Sequence, residues 1–259
     1  MPEPESARPA FPGRTAVVIP ALNEAGCVGD TVRRWLALGV KAVRVVDNGS
    51  TDVTASTARQ AGAEVLTEAR RGYGAAAWRG LQDWPDACEW VLFSSADGSD
   101  RLSVGETGSW LAAVEGGADL VIGDRVSLPA SGAELKWTQR FGNRVTCEAI
   151  RFGWGRRFRD MGSLRLARRE GLVSLGLADR GFGWNVEMQV RAMEAAWKIV
   201  ELPVTYHPRQ SGESKISGSW AGTLRAGHGI VRMLALLWML RWRRSEAGVA
   251  SGQQAPRNP

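Results

Sequence analysis

The chain has 259 residues and a formal net charge of +6, and 44% of its residues are hydrophobic while 23% are charged. These proportions are ordinary for a folded domain and exclude a chain that is disordered throughout, a collagen-like repeat and a disulfide scaffold. Only four of the 33 basic residues are lysines, and such an arginine excess either serves bidentate contacts with phosphate or carboxylate groups or reflects a GC-rich genome.

The first half of the chain alternates between two kinds of pattern. Residues 1–13 contain four prolines and are predicted to form a flexible tail. Short β-branched runs then alternate with helical patterns, which is typical of βαβ units and of a mostly parallel sheet with helices on both faces. The predicted fold class is therefore α/β. The predicted strands are Thr15–Ile19, Ala42–Val46, Ala63–Leu66, Trp90–Ser94 and Asp119–Ile122.

The second half alternates less regularly. Its patterns predict two helices, one strand and a long apolar and basic helix, at Lys136–Phe152, Trp184–Trp197, Ile199–Tyr206 and Leu224–Trp242 respectively. We therefore predict one domain over residues 14–222 and an amphipathic basic helix over 223–244. A second flexible tail is expected over 245–259.

The cysteines and histidines exclude several kinds of site. Three cysteines are far apart and form no C-x-x-C pair, and both histidines are isolated. This pattern is typical of a reducing compartment and predicts neither a zinc site nor a His-based catalytic triad. The N-terminus lacks a basic region followed by an apolar core, so we expect no signal peptide. The residues concerned are Cys27, Cys88, Cys147, His207 and His228.

Polar side chains follow four of the predicted strands, among them Glu24, Asp47, Asp97 and Arg125. Ligands of open α/β sheets bind outside the carboxyl ends of the strands. Acidic groups there can bind ribose hydroxyls, base N–H groups and a hard cation. The alternative is that these are loop residues and helix caps, as Asp52 in particular can be. Four such positions at one edge of a sheet favour a ligand site.

Familiar nucleotide-binding and hydrolase motifs are missing, because no G-x-G-x-x-G, G-x-x-x-x-G-K-[ST] or G-x-S-x-G is present. The runs VVIPALNEAG, VVDNGSTD, RGYGAA, SSADGSD and VIGDR, in this order, resemble the family 2 glycosyltransferases with the A-type nucleotide-sugar fold. DMGS at 160–163, GWNVEM at 183–188 and GESK at 212–215 resemble the dolichol-phosphate mannosyltransferase branch of that family. The resemblance covers about residues 14–220.

The resemblance implies roles for individual residues. Asp97 matches the last acid of the family's D-x-D element, which binds Mg²⁺ or Mn²⁺ on the diphosphate. Arg125, Arg209 and Lys215 match basic positions that face phosphate groups, including that of a lipid-phosphate acceptor, and with Asp97 they are the predicted catalytic residues. The positions that match the nucleotide site are Pro20, Ala21, Glu24, Asp47, Ala96 and Asp97.

One departure from the family pattern affects the metal. Ser95 occupies the position of the first D-x-D acid, and Ser99 falls where the branch often has a glutamine. A hard cation prefers several oxygen ligands, although Mg²⁺ keeps waters and uses substrate phosphates. We therefore expect weaker metal binding than in relatives. Two alternatives are that Asp100 substitutes for the missing acid, or that catalysis is lost.

The acceptor can be argued from the need for a base. A hydroxyl acceptor needs a general base, whereas a phosphate acceptor is already anionic and needs positioning and charge control. Asp160 and Glu187 are the candidate bases, and both also suit structural roles. The resemblance implies inverting transfer of a hexose from a nucleotide sugar (GDP-mannose or UDP-glucose type) to polyprenyl phosphate. The alternatives are a soluble hydroxyl acceptor or a catalytically impaired nucleotide-sugar-binding protein.

The basic C-terminal helix suggests a location. Its tryptophans and flanking arginines suit a helix that lies in a membrane interface beside anionic lipid. The alternative is a helix that packs on the domain's own core with snorkelling arginines. The seven arginines of 151–169 face either lipid headgroups or solvent. We expect a cytoplasmic protein in peripheral contact with the inner face of the cell membrane and, without a recognition motif, no nucleic-acid partner.

Overall fold

A computed structural model describes residues 11–84, 87–129, 131, 135–209 and 220–250, and within the last segment the side chains of 226–243. The strands are β1 Thr15–Ala21, β2 Ala42–Asp47, β3 Glu64–Thr67, β4 Trp90–Phe93, β5 Leu120–Asp124, β6 Arg165–Arg168 and β7 Ile199–Pro203. The helices are α1 Val28–Ala37, α2 Thr54–Gln60, α3 Tyr73–Gly80, α4 Val104–Glu115, α5 Trp137–Trp154, α6 Arg169–Ser174, α7 Trp184–Glu194 and α8 Trp220–Ala250.

The strands form one seven-stranded sheet in the order β3-β2-β1-β4-β6-β5-β7. The neighbours of β1, β2 and β7 are parallel to them, and β6 runs antiparallel between β4 and β5. The predicted α/β fold with a mostly parallel sheet is confirmed. The chain order places the carboxyl ends of β1, β2 and β4 at one edge, where a ligand site is expected.

Strand β6 is missing from the prediction because its sequence, RLAR, lies in the arginine-rich stretch that reads as facing lipid or solvent. Arg165 is fully buried, which corrects that interpretation for this residue. Its guanidinium donates from Nε to the Gly162 carbonyl (2.8 Å) and from Nη2 to Gln189 Oε1 (2.6 Å). Burial lowers the pKa of Arg165 to about 10. Hydrogen bonds thus compensate part of the cost of burying this cation.

Apolar side chains cover both faces of the sheet. On β4, Val91 and Phe93 pack into the cluster that includes α3 and α7, while Leu92 packs into the cluster that includes α1 and α4. Helix α3 lies close to β1 because Gly80 has no side chain. A Cβ on Gly80 would lie 2.4 Å from a methyl carbon of Val18. The tight packing of α3 sets the position of the loop before it, next to the ligand edge of the sheet.

Two predicted boundaries differ from the structure. Phe11 is fully buried, with its ring 6.1 Å from that of Trp110. The fold therefore begins before residue 14. The prolines on either side of Phe11 had led to the prediction of a flexible tail. Helix α8 runs from Trp220 to Ala250 and extends beyond 223–244, because helix propagation costs little where no proline stops it. Residues 1–10 and 251–259 lie outside the described residues. Within the described helices, none has the length and apolar composition needed to cross a bilayer.

Candidate functional site

The loops after β1 and β2 are joined by side-chain hydrogen bonds. The backbone N–H of Thr51 donates to Asn23 Oδ1 (2.7 Å), and the N–H of Asn23 donates to Ser50 Oγ (2.9 Å). Asn23 adopts a left-handed conformation with φ of 52°, which asparagine tolerates well. The N–H of Glu24 donates to Thr54 Oγ1 (2.8 Å). Glu24 is therefore fixed against the start of α2.

Three predicted nucleotide-binding residues lie at the ends of β1 and β2. Ala21 is opposite Asp47 in the parallel register, and Pro20 precedes it. Asp47 Oδ1 accepts from the N–H of Ser50 (3.1 Å). Asp52 instead contacts the start of α2, because its Oδ1 accepts from the N–H of Thr54 (2.9 Å), the first residue of that helix. The structure thus separates Asp47, at the end of β2, from Asp52, which holds the start of α2.

Asp97 lies buried at the end of β4. Its Oδ1 accepts from the backbone N–H (3.0 Å) and the hydroxyl (2.6 Å) of Ser99. The neighbouring Ala96 is also buried, and its carbonyl accepts from Thr31 Oγ1 of α1 (3.3 Å). The loop after β4 is therefore fixed against α1. The second carboxylate oxygen of Asp97, Oδ2, faces Arg209.

Arg209 brings Glu24 and Asp97 together. Its Nη1 lies 2.8 and 3.0 Å from the two carboxylate oxygens of Glu24, and its Nη2 lies 3.0 Å from Asp97 Oδ2. Burial disfavours the charged guanidinium, but the two carboxylates outweigh burial and raise the pKa of Arg209. The sequence predicted a phosphate-facing role for Arg209. The structure places its guanidinium on the acids predicted for nucleotide and metal.

The donor set fits a divalent cation only in part. The described residues contain no group of three or more His, Cys, Asp or Glu side chains suited to a metal. Asp97 would supply one carboxylate, but Ser99 engages one of its oxygens and Arg209 the other. A hard cation there needs Arg209 to withdraw and needs further oxygens from water and a diphosphate.

We expect Arg209→Gln to strengthen Mn²⁺ binding to the ligand-free protein. The change removes the cation that pairs with Asp97, and a contact of this charged type is worth about 1.5–3 kcal/mol, which corresponds to roughly tenfold or more in affinity. Titration calorimetry with Mn²⁺ measures the effect. Arg33→Gln, in an exposed ion pair with Asp30, is the control and should leave the affinity unchanged. An Arg209→Gln protein that binds Mn²⁺ no better than wild type contradicts the competition.

Asp100 contacts Ser95, the residue at the position of the missing acid, but the Asp100 carboxylate is already engaged in hydrogen bonds. Its Oδ2 accepts from the N–H of Ser95 (2.7 Å) and from the hydroxyl of Ser163 (2.8 Å). Burial, and secondarily the charge of Asp97, raise the pKa of Asp100 to about 6. A carboxyl group that resists ionisation and already links two segments is a poor substitute ligand.

Asp100 makes stability depend on pH. In the unfolded chain its pKa is the usual 3.8, so the folded state binds this proton more tightly and stability falls as pH rises from about 4 to about 6. We expect Asp100→Asn, which has no such penalty, to stabilise the protein at pH 8 relative to wild type by roughly 1–3 kcal/mol, and to lose that advantage at pH 4. Urea unfolding at both pH values measures this. Equal differences at pH 4 and pH 8 would contradict it.

Arg125 and Asp160 form a buried ion pair. Arg125 Nε lies 2.7 Å from Oδ2 of Asp160 and Nη2 lies 2.8 Å from Oδ1, and the N–H of Arg125 also donates to Oδ2 (2.9 Å). Burial alone would raise the pKa of Asp160, but Arg125 outweighs it and lowers that pKa. Asp160 is therefore held as the charge partner of Arg125. The contacts with Asp160 use Nε, Nη2 and the backbone N–H of Arg125 and leave Nη1 outside the pair.

The second candidate base also has a structural role. Glu187 is buried near the start of α7, and its Oε2 accepts from the backbone N–H groups of Ala178 (3.0 Å) and Asp179 (2.8 Å). It therefore anchors the preceding loop. Lys215, the last predicted catalytic residue, lies outside the described residues.

Tyr206 belongs to the site although sequence reasoning did not single it out. Its ring lies 5.4 Å from the guanidinium carbon of Arg125, and its backbone pairs with Asp100 in an isolated antiparallel bridge. It connects the end of β4 to the Arg125–Asp160 pair. The available signal was its place at the end of the predicted strand Ile199–Tyr206, shortly before Arg209.

Comparisons with known proteins show the family of this chain. The model of Glycosyl transferase family 2 matches residues 16–175. An uncharacterized glycosyltransferase of Mycobacterium tuberculosis is 38% identical over 210 residues, which cover 81% of this chain and 93% of the relative. A polyprenol monophosphomannose synthase of Mycolicibacterium smegmatis is 28% identical, with 84% of this chain and 85% of the relative covered.

A solved structure shares the fold. Glucosyl-3-phosphoglycerate synthase of M. tuberculosis, in complex with Mn²⁺, UDP-glucose and phosphoglyceric acid, matches with a TM-score of 0.67 and 21% identity. The match covers 88% of this chain and 81% of that protein. The A-type glycosyltransferase fold predicted for this chain is confirmed.

Proposed function

Because the chain belongs to glycosyl transferase family 2, we propose that it transfers a hexose from a nucleotide sugar to a polyprenyl phosphate, with inversion at the anomeric carbon. It is a glycosyltransferase, and the acceptor and the sugar are the proposed part. The GDP-mannose and UDP-glucose types remain the proposed donors. The relative named a polyprenol monophosphomannose synthase supports a lipid-phosphate acceptor.

The observation that carries the choice of acceptor is the position of the candidate bases. Asp160 is paired with Arg125, and Glu187 accepts from two backbone N–H groups. A hydroxyl acceptor would need a base. To act as that base, either carboxylate would have to break the contacts just described, which costs free energy. A phosphate acceptor needs none, which favours it over the soluble hydroxyl acceptor.

In the proposed reaction, an oxygen of the acceptor phosphate attacks the anomeric carbon from the face opposite the nucleotide. The bond from that carbon to the diphosphate breaks, and the nucleoside diphosphate leaves with the electron pair. Glu24 and Asp47 bind the nucleotide, with Pro20, Ala21 and Ala96 lining its site. A Mg²⁺ or Mn²⁺ ion at Asp97 would neutralise charge on the leaving diphosphate.

Three basic residues are proposed to bind phosphate. Arg209, once released from Asp97, is close enough to the nucleotide edge to contact a diphosphate or the acceptor phosphate. Arg125 would contribute Nη1, since its other groups bind Asp160. Lys215 is retained from the family pattern. Preorganised cations of this kind lower a barrier by stabilising the charge that develops on the leaving diphosphate, and they position the acceptor phosphate, which is already anionic.

The proposal is tested with radiolabelled GDP-mannose and UDP-glucose, each offered with polyprenyl phosphate, with the unphosphorylated polyprenol and with phosphoglycerate. We expect label in the organic phase only with polyprenyl phosphate. Label transferred to polyprenol, or only to a water-soluble acceptor, would overturn the proposed acceptor. Binding of a nucleotide sugar without any transfer would favour the impaired binding protein instead.

We also propose that the protein works in peripheral contact with the inner face of the cytoplasmic membrane. A polyprenyl chain stays in the bilayer, so the enzyme must reach the phosphate at its surface. The basic helix α8 was the predicted contact.

A further inference from the structure

Two helices carry exposed aromatic side chains. Among the side chains that the structure describes, every exposed Trp or Phe lies on α5 or α8. Large exposed apolar surfaces of this kind are rare on a free monomer and indicate an interaction site. These residues are Trp137, Phe141, Phe152, Trp238 and Trp242.

Helix α5 is apolar on two opposite sides. Trp137, Phe141, Val145 and Phe152 recur at helical spacing and form one exposed stripe, with Trp137 72% and Phe152 83% accessible. Residues such as Ile150 on the other side of the helix pack into the core. A helix that only covered the core would need a single apolar side. The outer stripe therefore requires an explanation of its own.

Helix α8 continues the stripe. Val231, Trp238 and Trp242 are exposed on one side, whereas Leu237 is buried. The rings of Phe152 and Trp238 stack with centroids 5.6 Å apart. This contact joins the stripes of α5 and α8 into one surface, which we call the two-helix surface (Trp137, Phe141, Val145, Phe152, Val231, Trp238 and Trp242).

Arginines flank the two-helix surface. On α5, the exposed Arg140, Arg144 and Arg151 follow one another at helical spacing and lie in a row beside the aromatic stripe. On α8, Arg232 and Arg243 are exposed beside the tryptophans. Apolar side chains flanked by arginines complement a bilayer with anionic headgroups, since the rings enter the interface and the guanidinium groups contact phosphate.

We propose that the two-helix surface binds an anionic lipid bilayer. The predicted contact was α8, with the arginines of 151–169 facing lipid headgroups as one alternative, and we add α5 as an equal partner. Docking would also bring the segment next to Arg125, which is proposed to bind the acceptor phosphate, close to lipid. Asn143, on the core side of α5, donates to the Arg159 carbonyl (2.9 Å) and accepts from the N–H of Met161 (2.8 Å). The segment that carries Asp160 thus lies about one helix diameter, roughly 10 Å, from the bilayer.

The inference rests on the proposed lipid acceptor for its purpose, but its test needs no substrate. The full chain is sedimented with vesicles of neutral phosphatidylcholine, with and without phosphatidylglycerol, in the absence of polyprenyl phosphate and nucleotide sugar. We expect binding to the anionic vesicles that weakens with salt. Phe141→Ser combined with Phe152→Ser should lower the partition coefficient at least about tenfold. Arg140→Gln combined with Arg144→Gln should lower it about fivefold per charge.

The control variant combines Val53→Ser and Val104→Ser, which are exposed valines outside the two helices, and it should bind as wild type does. All altered side chains are exposed, so melting temperatures should change little. The proposal would be overturned if the wild type did not bind the anionic vesicles. It would also be overturned if the variant changed at Phe141 and Phe152 bound them as well as the wild type does. A wild-type dimer in light scattering that this variant converts to monomer would overturn it too, because a second copy would then cover the surface.

Discussion

Asp97→Asn is expected to lower the rate of sugar transfer by roughly 10²–10³-fold while leaving the fold intact. Asparagine can still accept the Ser99 hydrogen bonds through its amide oxygen, so the loop after β4 keeps its shape. What disappears is the negative charge that Arg209 contacts at 3.0 Å and that a divalent cation would need. The steady-state rate with the best donor, and the affinity for Mn²⁺ by titration, should fall together.

The matched control is Asp52→Asn. Asp52 Oδ1 accepts from the N–H of Thr54 at the start of α2, and the amide oxygen of asparagine can accept the same hydrogen bond. Replacing this carboxylate should therefore have little effect on turnover. If Asp97→Asn keeps most of the activity, Asp97 does not perform the metal-binding role assigned to it. Because Ser95 already replaces the first acid of the motif, such a result would mean that sugar transfer needs neither carboxylate of that motif.

Arg125→Gln is expected to destabilise the protein by about 3–5 kcal/mol, because it leaves the fully buried Asp160 without its countercharge. Adding Asp160→Asn to the same chain removes that unpaired charge and should recover at least about 1 kcal/mol of the loss, as coupled neighbours do in a double-mutant cycle. Urea unfolding of the wild type, both single variants and the double variant measures the free energies.

Arg33→Ala is the comparison for this pair. Arg33 also forms an ion pair, with Asp30 at 2.5 Å, but both side chains are more than half exposed. Exposed pairs contribute about 0–1 kcal/mol, so Arg33→Ala should change stability far less than Arg125→Gln. A loss of similar size for both, or a double variant no more stable than Arg125→Gln, would mean that burial does not set the energetics of the Arg125–Asp160 pair.

The strands next to the site were predictable because their signals are local. β1 and β2 are β-branched runs that end in a proline and in DNGSTD, and the structure has them within two residues of the predicted bounds. β6 was not predictable, since whether Arg165 lies in solvent or in the core depends on Asn185 and Gln189, which only the folded chain brings near it.

The predicted site shows the same division. Pro20, Ala21, Asp47, Ala96 and Asp97 lie at strand ends, where a pattern of short runs places them. The contact between Arg209 and Glu24 joins residues 185 positions apart, so no spacing indicates it. Similarly, the structural role of Asp160 depends on its ion pair with Arg125, which lies 35 positions away in the chain and is brought to it only by folding.

The central claim is that the ends of β1, β2 and β4 bind the nucleoside diphosphate of the donor. The most direct measurement is the dissociation constant of GDP and of UDP, with Mn²⁺ present, for wild type, Asp47→Asn and Asp52→Asn. We predict that one of the two nucleotides binds the wild type and raises its Tm, that Asp47→Asn weakens binding about tenfold or more, and that Asp52→Asn does not. Binding of neither nucleotide, or equal binding to Asp47→Asn and wild type, would contradict the claim.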